Sequence, residues 1–170
     1  AEALDRADLG TTPGRVTLLT VLGRPAYRFA SAAGPTTVFA DGGDLLPELE
    51  RDDATRIASR FMNLPENKLE YVEFVTRPDQ WTIAQGRDMP QHRFLVDDPE
   101  RTELYVSAQL GEVSVVTTRK SRTLAWIGTI PHWFYFAALR RNQPLWYQIV
   151  VWTSALGCVL AILGLALGVT

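Results

Sequence analysis

From Asn142 to Thr170 the chain carries no Asp, Glu, Lys or Arg. Within that stretch, Pro144 to Val169 reads PLWYQIVVWTSALGCVLAILGLALGV, and its only polar side chains are Tyr147, Gln148, Thr153, Ser154 and Cys158. As a helix rising about 1.5 Å per residue, roughly 25 residues reach about 37 Å, more than the roughly 30 Å of a bilayer's hydrocarbon core. A run this long and this free of charge predicts a transmembrane helix over 144–169 rather than a helix buried in a globular core. Trp146, Tyr147 and Trp152 gather at its N-terminal end, where an interfacial aromatic belt belongs. Pro144 suits a first helical turn, which has no use for its missing N–H.

The span has a particular face. Ser154, Gly157, Ala161, Gly164 and Gly168 recur at helical spacing, and Gly164 to Gly168 is a GxxxG. A stripe of small side chains lets a second helix approach closely, and close van der Waals packing drives helix association in lipid. Partners are therefore expected among other membrane protein subunits, as well as the bilayer itself.

Upstream, Leu124 to Leu139 reads LAWIGTIPHWFYFAAL, with Trp126, Trp133, Phe134, Tyr135 and Phe136. It is short for a span, and Arg140 and Arg141 separate it from the apolar run. The expectation is an amphipathic helix lying at the membrane interface, capped by Thr129 with Pro131 in its first turn. Across this segment and the start of the span, Trp126, Trp133, Tyr135, Trp146, Tyr147 and Trp152 are the membrane-interface candidates. His132 is a candidate haem ligand, because a neutral imidazole there has the chemistry of an axial ligand. A bis-histidine site needs a second histidine, and the other one, His92, falls in the preceding polar domain.

The remainder is polar and strand-rich. The net charge of −2 lacks the basic excess of a nucleic-acid binder, so no nucleic acid is expected as a partner. Cys158 is the single cysteine, which excludes an intrachain disulfide and a cysteine-based metal cluster. The opening AEALDRADLG is polar and has no signal-peptide core. Export is then expected to depend on the C-terminal helix or on something outside this sequence. A start without Met reads as trimming or a fragment.

Strands are predicted at Arg15–Leu22 and Ala26–Ser31, with Gly23-Arg24-Pro25 as the turn, and at Thr36–Ala40 ahead of the Asp41-Gly42-Gly43 turn. Ala54, Ile57, Ala58 and Phe61 give 51–62 a helical period, with Asp52 and Asp53 favouring its first turn. Further strands are expected at 68–76, 93–96, 102–107 and 113–117. Alternation in Glu103-Leu104-Tyr105-Val106-Ser107 predicts one buried face.

A weak repeat runs through this part. Pro25-Ala26-Tyr27-Arg28-Phe29 echoes Pro90-Gln91-His92-Arg93-Phe94, and the run from Thr37 to Gly42 echoes that from Leu104 to Gly111. The expected fold class is α+β. Two small antiparallel sheet units, roughly 14–50 and 51–118, follow one another, with the 51–62 helix packed on the second. No P-loop, dinucleotide fingerprint, HExxH or GxSxG is present. Asp52-Asp53 and Asp97-Asp98 are adjacent carboxylates whose side chains diverge, which suits caps and turns better than acid–base pairs. Asp41-Gly42-Gly43-Asp44 reads as a turn, and no metal site and no catalytic residue is expected.

Together these residues resemble the PepSY domain, in particular the PepSY-associated transmembrane family of bacteria. The likeness rests on Gly23 to Arg28, on Leu104 to Val113, and on Arg119, Arg122, Trp126, Gly128, His132 to Tyr135, Trp146, Gly157 and Gly164. It covers most of the chain. The resemblance implies PepSY units on the periplasmic side of the bacterial inner membrane, although Arg119, Lys120, Arg122, Arg140 and Arg141 would by the positive-inside rule put that side in the cytoplasm. Some members resemble haem-dependent ferric-siderophore reductases with membrane histidines as axial ligands, and His132 occupies the family's histidine position before the second helix. The family's first membrane helix with its own histidine is not in this sequence, nor are the later helices. One span with one candidate ligand does not build an intramembrane electron path, so the chain reads as a fragment or as a reduced relative.

The organisation expected is a PepSY-like extracytoplasmic domain over 1–118, an aromatic interfacial segment over 119–143 and a transmembrane helix over 144–169. The function expected is that of a non-catalytic, membrane-anchored accessory or scaffolding subunit of a larger inner-membrane complex, by analogy an electron-transfer complex. It is expected to hold no cofactor. One alternative is part of a haem-binding ferric-siderophore reductase with haem b at His132. Another is a free regulatory or protease-inhibitory PepSY module.

Overall fold

A computed structural model describes residues 14–32 and 34–169. The polar opening decapeptide lies outside the described residues. The chain divides into two compact units, one running to Ser121 and the other from Arg122.

The first unit is α+β. Strands β1 (Arg15–Val21), β2 (Arg24–Ser31) and β3 (Gly34–Phe39) form one antiparallel sheet in that order. Helix α1 (Arg51–Met62) follows. Then β4 (Leu69–Val75), β5 (Gln91–Val96), β6 (Glu103–Ser107) and β7 (Glu112–Thr117) form a second antiparallel sheet, also in chain order.

The first hairpin corrects the expected turn. Arg24 and Pro25 belong to β2, and only Leu22 and Gly23 form the loop, both at positive φ (52° and 84°). A two-residue loop with both residues left-handed is the type I′ geometry that matches strand twist. Leu22 accepts this unusual backbone while packing against the Val21, Ala26 and Phe39 core.

Helix α1 forms over the residues its periodicity marks. Asp52 and Asp53 occupy its first turn, where the helix dipole favours negative charge. It stops at Asn63, left-handed at φ 52°, with Leu64 N–H donating to Ser59 O at 3.1 Å before Pro65. This is a Schellman ending. Ala54 and Ala58 let the helix lie close on the second sheet, where they bury Phe94, Leu104 and Val106. Each of those three larger side chains contributes about 1.5–3 kcal/mol relative to exposure.

Alternation in β6 predicted one buried face, yet Leu104, Tyr105, Val106 and Ser107 are all buried. Helix α1 covers one face and the 77–90 loop covers the other. From that loop Asp79 accepts the Tyr105 hydroxyl proton at 2.8 Å and holds Trp81 N–H, Thr82 N–H and the Thr82 hydroxyl. Arg93 bridges Glu73 and Glu103 at 2.9 Å each on the same face.

The two sheets are tied by residues between them. Leu49 N–H donates to Ala108 O at 2.8 Å, and Leu49 O accepts from His92 Nε2 at 2.9 Å. Arg28 donates to Glu112 and to the Leu110 carbonyl. Gly111, at φ 65°, sits so close to this seam that a Cβ would stand 2.6 Å from Val21 Cγ1.

Hairpins β2–β3 and β5–β6 share a bonding pattern. Pro25 O accepts from Ala40 N–H at 2.8 Å, and Pro90 O accepts from Ala108 N–H at 2.9 Å. Gly43 N–H donates to Phe39 O, as Gly111 N–H does to Ser107 O, and both glycines have positive φ. Arg28 stands opposite Thr37, and Arg93 opposite Tyr105. The strand pairing thus aligns Thr37 with Tyr105, one residue from the Leu104 expected from sequence.

In the second unit, the expected continuous interfacial helix is broken. Helix α2 (Arg119–Ile127), which begins in the first unit, ends at Gly128. Two single-turn helices follow, α3 (Thr129–His132) and α4 (Ala137–Arg140). Phe134 at φ 49° turns the chain between them. Gly128 takes the capping position expected of Thr129, whose side chain makes no cap bond. Pro131 is in α3 as its first-turn assignment required. Helix α5 (Gln143–Val169) then runs 27 residues, about 40 Å. Asn142 Oδ1 accepts from Leu145 N–H at 3.2 Å and caps it. Helix α5 is long and apolar enough to cross a membrane.

Candidate functional site

The second unit gathers aromatic side chains around one cation. The turn at Phe134 returns Tyr135 N–H to Ile130 O at 2.8 Å and projects Tyr135 beside α4. Trp146, one turn into α5, donates its indole N–H toward Trp133 O at 3.4 Å. The Arg140 guanidinium lies over both rings, its Cζ 4.3 Å from the Trp146 centroid and 5.1 Å from that of Tyr135. Thr129, Trp133, Tyr135, Arg140 and Trp146 line an open, largely apolar cavity of about 380 Å³. Arg140 Nε is buried without a hydrogen-bond partner, and Nη1 reaches only Gln143 Oε1, at 3.4 Å. The sequence contains no Asp or Glu after Glu112, so this unit supplies no carboxylate to the guanidinium.

Three of the membrane-interface candidates therefore converge, namely Trp133, Tyr135 and Trp146. Trp126 pairs instead with Phe136, with centroids 6.2 Å apart. Tyr147 and Trp152 stand exposed on α5, and Trp152 donates to Gln148 Oε1 at 3.2 Å. Sequence reading took Arg140 as a separator and as one of the positive-inside charges, not as part of a site. The signal that marks it is an arginine among aromatics in a stretch without acids.

His132 is exposed at the end of α3, edge-on to Trp133 with centroids 5.6 Å apart. His92 is buried in the first unit, where Nε2 donates to Leu49 O and Nδ1 lies 3.4 Å from the Tyr71 hydroxyl. Among the described residues no group of three His, Cys, Asp or Glu side chains is placed to hold a metal ion.

Along α5, Ser154, Gly157, Ala161, Gly164 and Gly168 fall within an arc of about 80°. All five are exposed, and a Cβ added at any of the three glycines would meet no atom within 4 Å.

Of the adjacent carboxylates, Asp53 pairs with Arg56 in the first turn of α1, and Asp98 holds a turn. Asp98 accepts from Thr102 N–H and its hydroxyl, at 2.9 and 2.6 Å. Hydrogen bonding to Lys68 holds Asp97 below the usual carboxylate range, and Arg24 does the same to Asp41. Burial, and then the charge of Glu112, pushes Asp88 above that range.

These features define an α+β domain joined through an aromatic segment to a helix of membrane-spanning length. Compared with models of protein families, with characterised proteins and with solved structures, the chain matches none.

Proposed function

We propose that this chain is a non-catalytic, membrane-anchored accessory subunit of a larger bacterial inner-membrane complex, holding no cofactor of its own. The observation that carries this reading is α5, whose small-residue stripe is open along its length. A helix in lipid that keeps such a stripe offers a packing face to another helix. The first unit supports a scaffolding role through Asp79, Arg93 and Asp98, whose hydrogen bonds and ion pairs tie its own strands and turns. The matching bonds of the β2–β3 and β5–β6 hairpins support reading it as two PepSY-like units. An electron-transfer complex, with the first unit on the periplasmic side, is the setting the PepSY likeness suggests, by analogy alone.

Gentle extraction from the native membrane followed by co-purification tests the proposal. Replacing Gly157 and Gly164 together by Leu should release the partner subunits, while the first unit keeps its thermal transition. Undiminished co-purification of the double variant contradicts it.

A second reading makes the chain part of a haem-binding reductase, supported by the exposure of His132 in the aromatic segment. The residues present fit half of such a site. His132 has an imidazole to offer, whereas His92 is buried with Nε2 committed to Leu49 O. A bis-histidine haem would therefore draw its second ligand from outside these 170 residues. Under this reading His132→Ala abolishes a b-type haem band in the reduced-minus-oxidised spectrum. Bands that persist in the variant and follow co-purifying subunits favour the accessory role. A regulatory or protease-inhibitory module would instead bind its target through residues 1–118 without the anchor.

A further inference from the structure

We infer that Arg140 and its aromatic neighbours form a binding site for the phosphate of an anionic phospholipid. The inference rests on α5 entering a membrane, as proposed above.

A guanidinium in an apolar surround needs an anion, because its charge is costly to hold away from water without one. Here the cation lies against Trp146 and Tyr135 with Nε buried and unpartnered, and the unit's sequence has no Asp or Glu. Stacking on aromatic faces leaves the N–H edge of an arginine open, and that edge matches the oxygens of a phosphate. The cavity beside it is open and almost wholly apolar, with Thr129 adding one hydroxyl. An acyl chain or glycerol backbone suits those walls better than a free, fully hydrated ion does.

Position selects the same ligand. Arg140 lies three residues before the start of α5, and Trp146 lies in its first turns. A helix of this length that crosses a bilayer places its first turns at headgroup depth. The phosphate, the cation and the aromatic belt then share one level. A basic side chain near an anionic membrane surface contributes about fivefold in affinity.

The test uses the full chain in nanodiscs of phosphatidylcholine with a minor fraction of phosphatidylglycerol. Lipids that remain bound are read by native mass spectrometry after release from the disc. Wild-type protein should retain phosphatidylglycerol over phosphatidylcholine. Arg140→Gln should lower that preference about fivefold or more, and Arg141→Gln should lower it less. Equal retention by Arg140→Gln and wild type overturns the site. Inorganic phosphate that competes the lipid away at equal concentration would overturn the assignment to a lipid. Flotation of the chain with pure phosphatidylcholine vesicles is read alongside. A chain that fails to float refutes the membrane reading itself, whereas one that floats without headgroup preference refutes only this site.

Discussion

Tyr105 is fully buried, and its hydroxyl donates to Asp79, which also organises the turn through Thr82. Removing the hydroxyl leaves a carboxylate oxygen short of a donor, so Tyr105→Phe should cost about 1–3 kcal/mol in urea unfolding of the first unit. Burial first, and then the bond to Asp79, raises the tyrosine's pKa. The folded state therefore keeps a proton that the unfolded chain releases above pH about 10, and stability should fall as pH rises beyond that point. Tyr105→Phe should weaken that alkaline dependence, leaving the part due to Tyr71, which burial also raises, and thermal melts across the alkaline range would show it. Asp88 has the same sign at lower pH. Its raised pKa means that its contribution is fully present below the ordinary carboxylate value and is lost as pH rises through the folded one. Asp88→Asn should therefore raise the melting temperature at neutral pH, with the gain vanishing in acid. None of this was legible in sequence, where alternation set Tyr105 with Glu103 and Ser107 on the face opposite the buried one. The turn role of Asp98 was legible, because adjacent side chains on one backbone diverge, whereas Asp52 and Asp53 lie inside the first turn of α1 behind Glu50 at the N-cap.

At the scale of elements, the seam between the sheets depends on Gly111. Gly111→Ala combines a left-handed backbone with a methyl group driven into Val21, and should destabilise the first unit by about 2–4 kcal/mol in thermal or urea melts. Gly34→Ala, strained in backbone but open in space, should cost less. Helix α1 could be read to the residue because its period and first-turn acids agree. The hidden face of β6 could not, because the cover comes from a connection whose one regular piece is the short 3-10 helix Ile83–Asp88, too brief to show a period. The interfacial helix failed for a local reason. Gly128 ends one helix, and Phe134 adopts a left-handed turn that hydrophobic patterning does not foresee. That same turn brings Tyr135 to Arg140, so the feature that defeated the helix prediction builds the aromatic cluster.

At the scale of the whole molecule, the division near Ser121 separates a core closed by its own contacts from a helix whose described residues beyond Val150 are all exposed. A chain ending at Ser121 should stay soluble and keep the cooperative transition of the first unit, as circular dichroism would report. The apolar helix was the most legible element of all, since length and lack of charge alone define it. The stripe of small residues on it was legible too, since it follows from helical spacing alone. The claim on which the functional reading stands is that α5 lies within a bilayer, and the protein's single cysteine provides a direct probe. Cys158 is exposed on α5 near its midpoint. In sealed native membranes a charged, membrane-impermeant maleimide should leave Cys158 unlabelled, and detergent should make it reactive. Rapid labelling in intact membranes, at the rate seen in detergent, would contradict the membrane anchor.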